Sequence, residues 1–406
     1  MQNTLTLNSP ASAGSQTRSA RAVLGLLEKI THGTLEVRLP DGGQMCCGQG
    51  GTSVTLDIGN WEVFDQILER GDVGLAEAWI DGKWETPDLP GLLTLLANNR
   101  EVLSNAVYGQ WWSLLSARLR HLFNSNTRTG SRRNIMAHYD LGNDFYQRWL
   151  DPTMSYSSAV FDGDSTRSME SAQLAKYRRI LRRLDARPWQ RVLEIGCGWG
   201  GFAEVAAREA GLEVLGVTLS PAQLDYARQR MTNAGLDGQV TLELRDYRDL
   251  SGEKFDHIVS IEMFEAVGER WWPSYFKTLQ RMLAPQGRAV VQSITIKDEL
   301  FPRYRRGTDF IQQHVFPGGM LPSPSVFGQQ AAKAGLTVRD VFAFGPDYSR
   351  TLAEWSSRFE QQWPAIETQG FDTRFHRLWQ FYLGYCQAGF NSGCTDVMQF
   401  ELVHRP

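Results

Sequence analysis

Cysteine is sparse in this chain, and its placement carries no pattern. The 406 residues hold five, Cys46, Cys47, Cys197, Cys386 and Cys394. No pair stands at a metal-ligand spacing and an odd count suits no disulfide framework, so neither a metal nor a cross-linked secreted domain is expected. A reduced cytosol is the expected compartment. Long apolar runs are missing as well. No stretch of about 18 apolar residues occurs, which excludes a transmembrane helix. Residues 1–21 are polar, rich in Ser and Thr, and lack the apolar core of a signal peptide, so they are expected to form a disordered leader. Nor does one sign of charge dominate. With 42 Lys and Arg against 45 Asp and Glu, the net charge of −3 leaves no global basic field for nucleic acid.

The length implies two or three domains. A first unit, residues 22–103, is expected to be α+β. Thr34-Leu-Glu-Val-Arg-Leu39 and Ser53-Val-Thr-Leu-Asp57 alternate like strands around the turn Asp41-Gly42-Gly43, and helix-like stretches follow at Trp61–Arg70 and Pro90–Asn98. Residues 104–132 read as a helix, Ser104–Phe123, and a polar linker, Asn124–Ser131. From residue 133 to 406 the pattern becomes β-α-β-α-β. Strands are expected at Arg191–Ile195, Glu213–Thr218, Val240–Arg245, Phe255–Ile261 and Arg288–Ile296, with helices at Phe202–Ala210 and Pro221–Ala234. An insertion, residues 297–324, precedes late strands at Thr337–Phe342 and Val397–Val403. The expected fold class is α/β: a doubly wound, Rossmann-like parallel sheet with an antiparallel tail.

The strongest local signal is Val192-Leu-Glu-Ile-Gly-Cys-Gly-Trp-Gly-Gly201. An apolar strand ends in Gly196, Gly198 and Gly200, and a helix begins at once. Glycine lets the backbone turn sharply and approach a ligand, and the helix N-terminus offers free N–H groups to a carboxylate. A dinucleotide would ask for G-x-G-x-x-G and an acid about twenty residues on. Here the next strand ends Gly216-Val-Thr-Leu-Ser220, without an acid. Thr218, Ser220 and Gln223 could supply the polar contacts, although Ser220-Pro221 also reads as a helix start. Tyr247, in Asp246-Tyr-Arg-Asp249, is either a stacking partner for adenine or a plain loop tyrosine.

His138-Tyr-Asp-Leu-Gly-Asn-Asp-Phe-Tyr146, Met154-Ser-Tyr-Ser-Ser-Ala-Val-Phe161, Glu262-Met-Phe-Glu-Ala-Val-Gly268, Phe344-Gly-Pro-Asp-Tyr348 and Tyr382-Leu-Gly-Tyr-Cys-Gln-Ala-Gly-Phe390 surround that turn in order. Together they resemble the cyclopropane-fatty-acyl-phospholipid synthase family, which includes the mycolic acid cyclopropane synthases. The resemblance implies a class I methyltransferase fold. It implies S-adenosylmethionine as methyl donor, lined by Tyr156, Ser157, Gly196, Gly198, Gly200, Thr218, Leu219, Gln223, Tyr247 and Ile261. It places Glu265, Tyr348 and Cys386 at active-site positions, with a bicarbonate ion as base that Glu265 and Tyr348 help to hold. Ser158 and Ser293 stand where the family usually has a cysteine and a histidine that contact this ion; a branch with this look is associated with methylated or methylene-branched chains. The resemblance further implies a homodimer through the first unit.

Such an enzyme transfers a methyl group to the double bond of an unsaturated acyl chain in a membrane phospholipid. The reacting alkene needs in-line placement and a dry pocket, aromatic faces to steady the cation, and a base for the final proton. Loss of that proton from the new methyl group closes a cyclopropane; loss from a neighbouring chain carbon gives an alkene or branch. Glu265 is the best carboxylate for that task, with His138 a weaker candidate. Two other readings stay open, a small-molecule O- or N-methyltransferase and a non-catalytic lipid-binding protein. Peripheral membrane attachment is expected through basic stretches: Ala175–Arg187, then Arg128, Arg132 and Arg133, then Arg303, Arg305 and Arg306. Phe301, Phe310, Val315 and Phe316 of the insertion are expected to frame an acyl channel.

Overall fold

The computed structural model describes residues 17–107 and 141–405. They group into two compact units, one of residues 17–107 with Thr373–Phe381, the other of residues 141–372 with Tyr382 onward. The expected boundary at residue 103 therefore misses a late segment that returns to the first unit. There the Arg377 guanidinium lies 4.1 Å over the Trp79 ring and accepts nothing in return, being a pure donor, while the Trp79 indole N–H donates to the Arg377 carbonyl at 3.0 Å. No local periodicity reveals such a return.

The first unit opens with α1 (Arg18–Leu27), whose N-cap Thr17 accepts from the Ala20 N–H. Residues 18–21 of the expected leader are therefore helical; its first sixteen residues, most of the helix and linker expected over residues 104–132, His138 and Arg128, Arg132 and Arg133 lie outside the described residues. Strands β1 (Gly33–Arg38), β2 (Gln44–Gln49), β3 (Ser53–Ile58) and β4 (Trp84–Glu85) form a sheet in the order β2-β1-β3-β4. β2 was not expected, because Met-Cys-Cys-Gly offers little alternation. It takes the antiparallel place beside β1, so β3 pairs with β1 in parallel rather than as its hairpin partner. Helices α2 (Glu62–Arg70), α3 (Asp72–Ile80), α4 (Leu89–Asn98) and α5 (Arg100–Val107) complete the unit before residue 108.

The second unit is built on seven strands. These are β5 (Arg191–Ile195), β6 (Glu213–Thr218), β7 (Val240–Leu244), β8 (Phe255–Ile261), β9 (Leu283–Ile296), β10 (Leu336–Ala343) and β11 (Thr395–His404), in the order β10-β11-β9-β8-β5-β6-β7. β5 to β9 run parallel, and β11 runs antiparallel to both β9 and β10. Around them lie α6 (Asn143–Trp149), α7 (Met169–Leu184), α8 (Gly201–Ala210), α9 (Pro221–Ala234), α10 (Trp272–Met282), α11 (Phe301–Tyr304), α12 (Pro324–Lys333) and α13 (Gly345–Glu367); of α14 (Thr373–Asn391), the part from Tyr382 onward belongs to this unit. Near-continuous apolar strands such as Val192-Leu193 and Ile258-Val259 are buried on both faces, as a sheet covered on both sides requires. The chain winds outward through β6 and β7, then returns to place β8 on the other side of β5. Ligands sit at that reversal, beyond the carboxyl ends of the strands.

In two of the basic stretches several side chains have partners within the fold. On α7, Arg178 pairs with Glu209 at 2.8 Å, Arg183 with Asp340 at 3.2 Å and with Glu401, and Arg179 donates to the Gln399 side chain at 2.6 Å. Lys176 is fully buried. In the insertion Arg305 pairs with Glu269 at 2.6 Å and Arg306 donates to the Pro302 carbonyl. Phe301 does not frame a channel; it packs on Trp272 in the core, with ring centroids 6.2 Å apart.

Candidate active site

Gly196 follows β5 with φ of +86°, and its N–H, like that of Cys197, donates to the Val217 carbonyl at the end of β6. A side-chain carbon at Gly196 would stand 2.8 and 2.9 Å from the Met263 side chain. The turn then launches α8 beside a partly open cleft that Gly201 and Phe202, the first residues of that helix, help to line. Tyr156, Ser157, Gly196, Gly198, Thr218, Leu219, Gln223, Tyr247 and Ile261 line it. Gly200 does not. It caps α8 with φ of +82°, and an added carbon there would meet Ala227 and Met231 at 3.2 Å, so its smallness serves helix packing. Ser220 accepts from the Gln223 N–H as the N-cap of α9, and the Gln223 side chain lies 3.0 Å from the Thr218 hydroxyl. Tyr247 packs edge-on against Tyr275 at 5.6 Å while lining the cleft.

Segment 154–161 closes one wall because α7 and α13 grip it. Gln173 donates to the Ser157 carbonyl at 2.9 Å, Lys176 bonds the Ser157 hydroxyl at 2.5 Å, and the Ala159 N–H donates to Thr351 at 3.1 Å. Aromatic rings back this wall. Tyr156 lies 5.4 Å from both Tyr146 and Trp355, its hydroxyl is 2.7 Å from that of Tyr382, and Tyr348 stacks on Phe390 at 4.5 Å.

The residue that the sequence reading passed over is Glu262, directly after β8. Its φ is +48°, in the left-handed region, and its carboxylate accepts from the Ser158 N–H at 2.8 Å, the Gln292 amide at 2.7 Å and the Tyr348 hydroxyl at 2.6 Å. Tyr348, expected to act with Glu265, is therefore bound to Glu262. The Ser158 hydroxyl turns away to its neighbour's carbonyl, Ala159 O, at 3.1 Å, and Ser293 likewise donates to Ile294 O at 3.0 Å. Glu265 accepts from the Ile294 N–H and lies buried within reach of the Ser293 hydroxyl. Burial, then the neighbouring Glu262, push its carboxyl up to about 8. Burial also raises the Cys386 thiol well above its ordinary value, so it is a neutral wall group.

A stability effect follows. The unfolded chain releases the Glu265 proton near 4.5, the folded chain near 8. Between those values the folded state holds the extra proton. The stabilisation is complete below the lower value and is lost as pH rises through the upper one, by at most about 1.4 kcal/mol per pH unit. Glu265→Gln is expected to flatten that decline, as denaturant melts at pH 5 and pH 8 would measure.

A family profile described as mycolic acid cyclopropane synthetase matches residues 126–400. The tuberculostearic acid methyltransferase UfaA1 of Mycobacterium tuberculosis is 37% identical over 346 residues, 83% of this chain and 80% of that protein. The cyclopropane-fatty-acyl-phospholipid synthase of Escherichia coli is 35% identical over 356 residues, 87% of this chain and 88% of its own. Among solved structures, mycolic acid cyclopropane synthase CmaA1 complexed with SAH and CTAB superimposes with a TM-score of 0.62 at 31% identity, covering 67% of this chain and 97% of that one.

Proposed function

Because the chain belongs to the mycolic acid cyclopropane synthetase family, and is thus an enzyme that draws its methyl group from S-adenosylmethionine, we propose that it alkylates the cis double bond of an unsaturated acyl chain in a membrane phospholipid to give a cyclopropane fatty acid. The bound donor supplies an electrophilic methyl group; the chain supplies the rest. Gly196 and Gly198 let the backbone close on the donor, and Thr218 and Gln223 offer polar contacts beside it. The observation that carries the reading is the cleft wall formed by segment 154–161 and Glu262. Rings grouped around Tyr156 meet a buried carboxylate there, the pairing that a transient carbocation asks for: faces that steady it without attacking it, and a base beside it. Heteroatom methylation needs no such aromatic wall.

A second reading, a methylene-branched product, is favoured by the two serines at 158 and 293 and by the 37% identity to a tuberculostearic acid methyltransferase. Here a hydride would move from the methylated carbon to the cationic carbon before the methyl group loses its proton. Among the described residues no helix is long and apolar enough to cross a membrane, and we place the encounter with lipid at the bilayer surface.

The test incubates the full chain with methyl-labelled donor and vesicles of dioleoyl phosphatidylglycerol, with free oleate as a parallel arm. Acyl chains are then examined by fragmentation mass spectrometry and NMR. Label in the vesicle lipid, as a ring, is the expected result. Label as an exocyclic methylene selects the second reading, label only in free oleate corrects the substrate, and label in neither refutes the assignment.

A further inference from the structure

We propose that Glu262 is the base of this site, with Tyr348 as its positioning residue, so that the enzyme needs no bound bicarbonate; this rests on the function proposed above. The backbone gives the first sign. A non-glycine residue in the left-handed region costs ~1–3 kcal/mol and persists only where its surroundings over-determine it. Here the Glu262 N–H is tied to the Gln292 carbonyl at 2.8 Å, and the side chain is tied from three directions by Ser158, Gln292 and Tyr348. All three partners donate. A carboxylate satisfies three donors and a carboxylic acid satisfies them less well, so the cage suits the ionised form. Burial on balance raises the Glu262 carboxyl above its ordinary value, which strengthens it as a base, while these three hydrogen bonds and the charge of buried Lys176 pull the other way and favour the ionised form.

Placement supports the role. Glu262 lines the donor cleft with Tyr156 and Ile261, and its Oε2 takes only the Tyr348 hydroxyl, which leaves a lone pair for an incoming proton. Glu265 is the rival. Its neighbour's charge and its own burial hold its proton at neutral pH, which makes it an acid where a base is required. An exogenous anion fits poorly. The Tyr348 hydroxyl and the Ser158 N–H are already engaged by Glu262, and a further negative ion would stand against two buried carboxyl groups.

The step balances without another reactant. The methyl transfer forms a carbon–carbon bond, breaks the sulfur–carbon bond, and leaves the adjacent chain carbon cationic. Glu262 takes a proton from the new methyl group, and the C–H electron pair closes the ring, or the exocyclic double bond if a hydride has shifted first. Glu262 ends as the acid and sheds its proton to solvent after product leaves.

The test measures ring or methylene formation on dioleoyl phosphatidylglycerol vesicles in buffer stripped of carbon dioxide, then with bicarbonate restored. The wild-type rate should not change. Glu262→Gln should lose at least roughly 100-fold, the scale of a missing general base, while calorimetry with S-adenosylhomocysteine still shows binding. Glu262→Gly should gain at least roughly ten-fold, to about a tenth of the wild-type rate, when bicarbonate fills the opened space. Tyr348→Phe, with one donor gone, should move the acidic limb of the kcat/KM profile to higher pH. A wild-type rate that collapses without bicarbonate and returns with it overturns the proposal, whatever the variants do; so does a Glu262→Gln enzyme of near wild-type rate. Absence of any lipid label from wild type in both buffers would instead refute the function on which the proposal rests.

Discussion

Gly196→Ala is expected to weaken binding of S-adenosylhomocysteine by roughly 100-fold or more, about 2.7 kcal/mol by the tenfold-per-1.4 kcal/mol rule, in a chain that still folds. Two costs converge at this position. Its φ of +86° disfavours any residue with a side-chain carbon, by about 1–2 kcal/mol. The added carbon would also press within 2.8 and 2.9 Å of the Met263 stem, and that residue itself lines the cleft. Relief can come only from shifting the turn or the Met263 backbone, and either shift moves the N–H groups that face the donor. Two neighbouring glycines serve as controls. At Gly198 the added carbon meets nothing, so Gly198→Ala carries backbone strain alone and a smaller loss of affinity. At Gly200 it meets Ala227 and Met231 from α9, so Gly200→Ala should lower stability more than affinity. Calorimetric titration alongside denaturant melts separates the three.

Lys176→Met is expected to destabilise the second unit by about 3–5 kcal/mol, the usual effect of removing one partner from a buried charge group. The ammonium is fully buried, bonds the Ser157 hydroxyl, and is drawn toward Glu262, Asp151 and Glu194. Methionine fills the same space but removes the cation that draws these carboxyls, leaving Glu194 with Arg230 alone. Glu262 should then hold its proton and activity should fall with stability. The double variant Lys176→Met, Glu262→Gln should recover part of the folding energy and none of the activity. Wild type carries a matching pH signature. Burial lowers the lysine to about 8 in the folded chain, against 10.5 when unfolded. Between those values the unfolded chain binds more protons, so this group makes stability rise with pH there. Lys176→Met should remove that rise, read from melts at pH 8 and pH 10.

The lysine also illustrates what the residues alone convey. In Ala-Lys-Tyr-Arg-Arg-Ile-Leu-Arg-Arg it reads as one more cation on a basic helix. Only packing reveals that position 176 turns inward with Tyr177 and Ile180 while Arg178, Arg179 and Arg183 find partners on α8, β10 and β11. The core sheet was legible because the parallel strands are mostly apolar and end in turn signals, and strand ends at Ile195, Thr218 and Ile261 fell where the pattern put them. β2 was not legible, since its cysteines and glycine lack alternation and its place is set by pairing with β1. The glycine turn announced a ligand site from spacing alone. Glu262 did not announce itself. Its meaning lies in three donors that come from residues 158, 292 and 348, far apart in the chain, and in a φ that sequence does not display. For the same reason the hydrogen bond from Tyr348 to Glu262 could not be read from the residues alone.

The glycine cradle bears the whole account, and titration of the purified full chain with S-adenosylmethionine and its demethylated product addresses it most directly. A saturable heat with one equivalent of either ligand, lost in Gly196→Ala, is the predicted result. An absence of heat at several temperatures, together with no retention of radiolabelled donor in equilibrium dialysis, would contradict it.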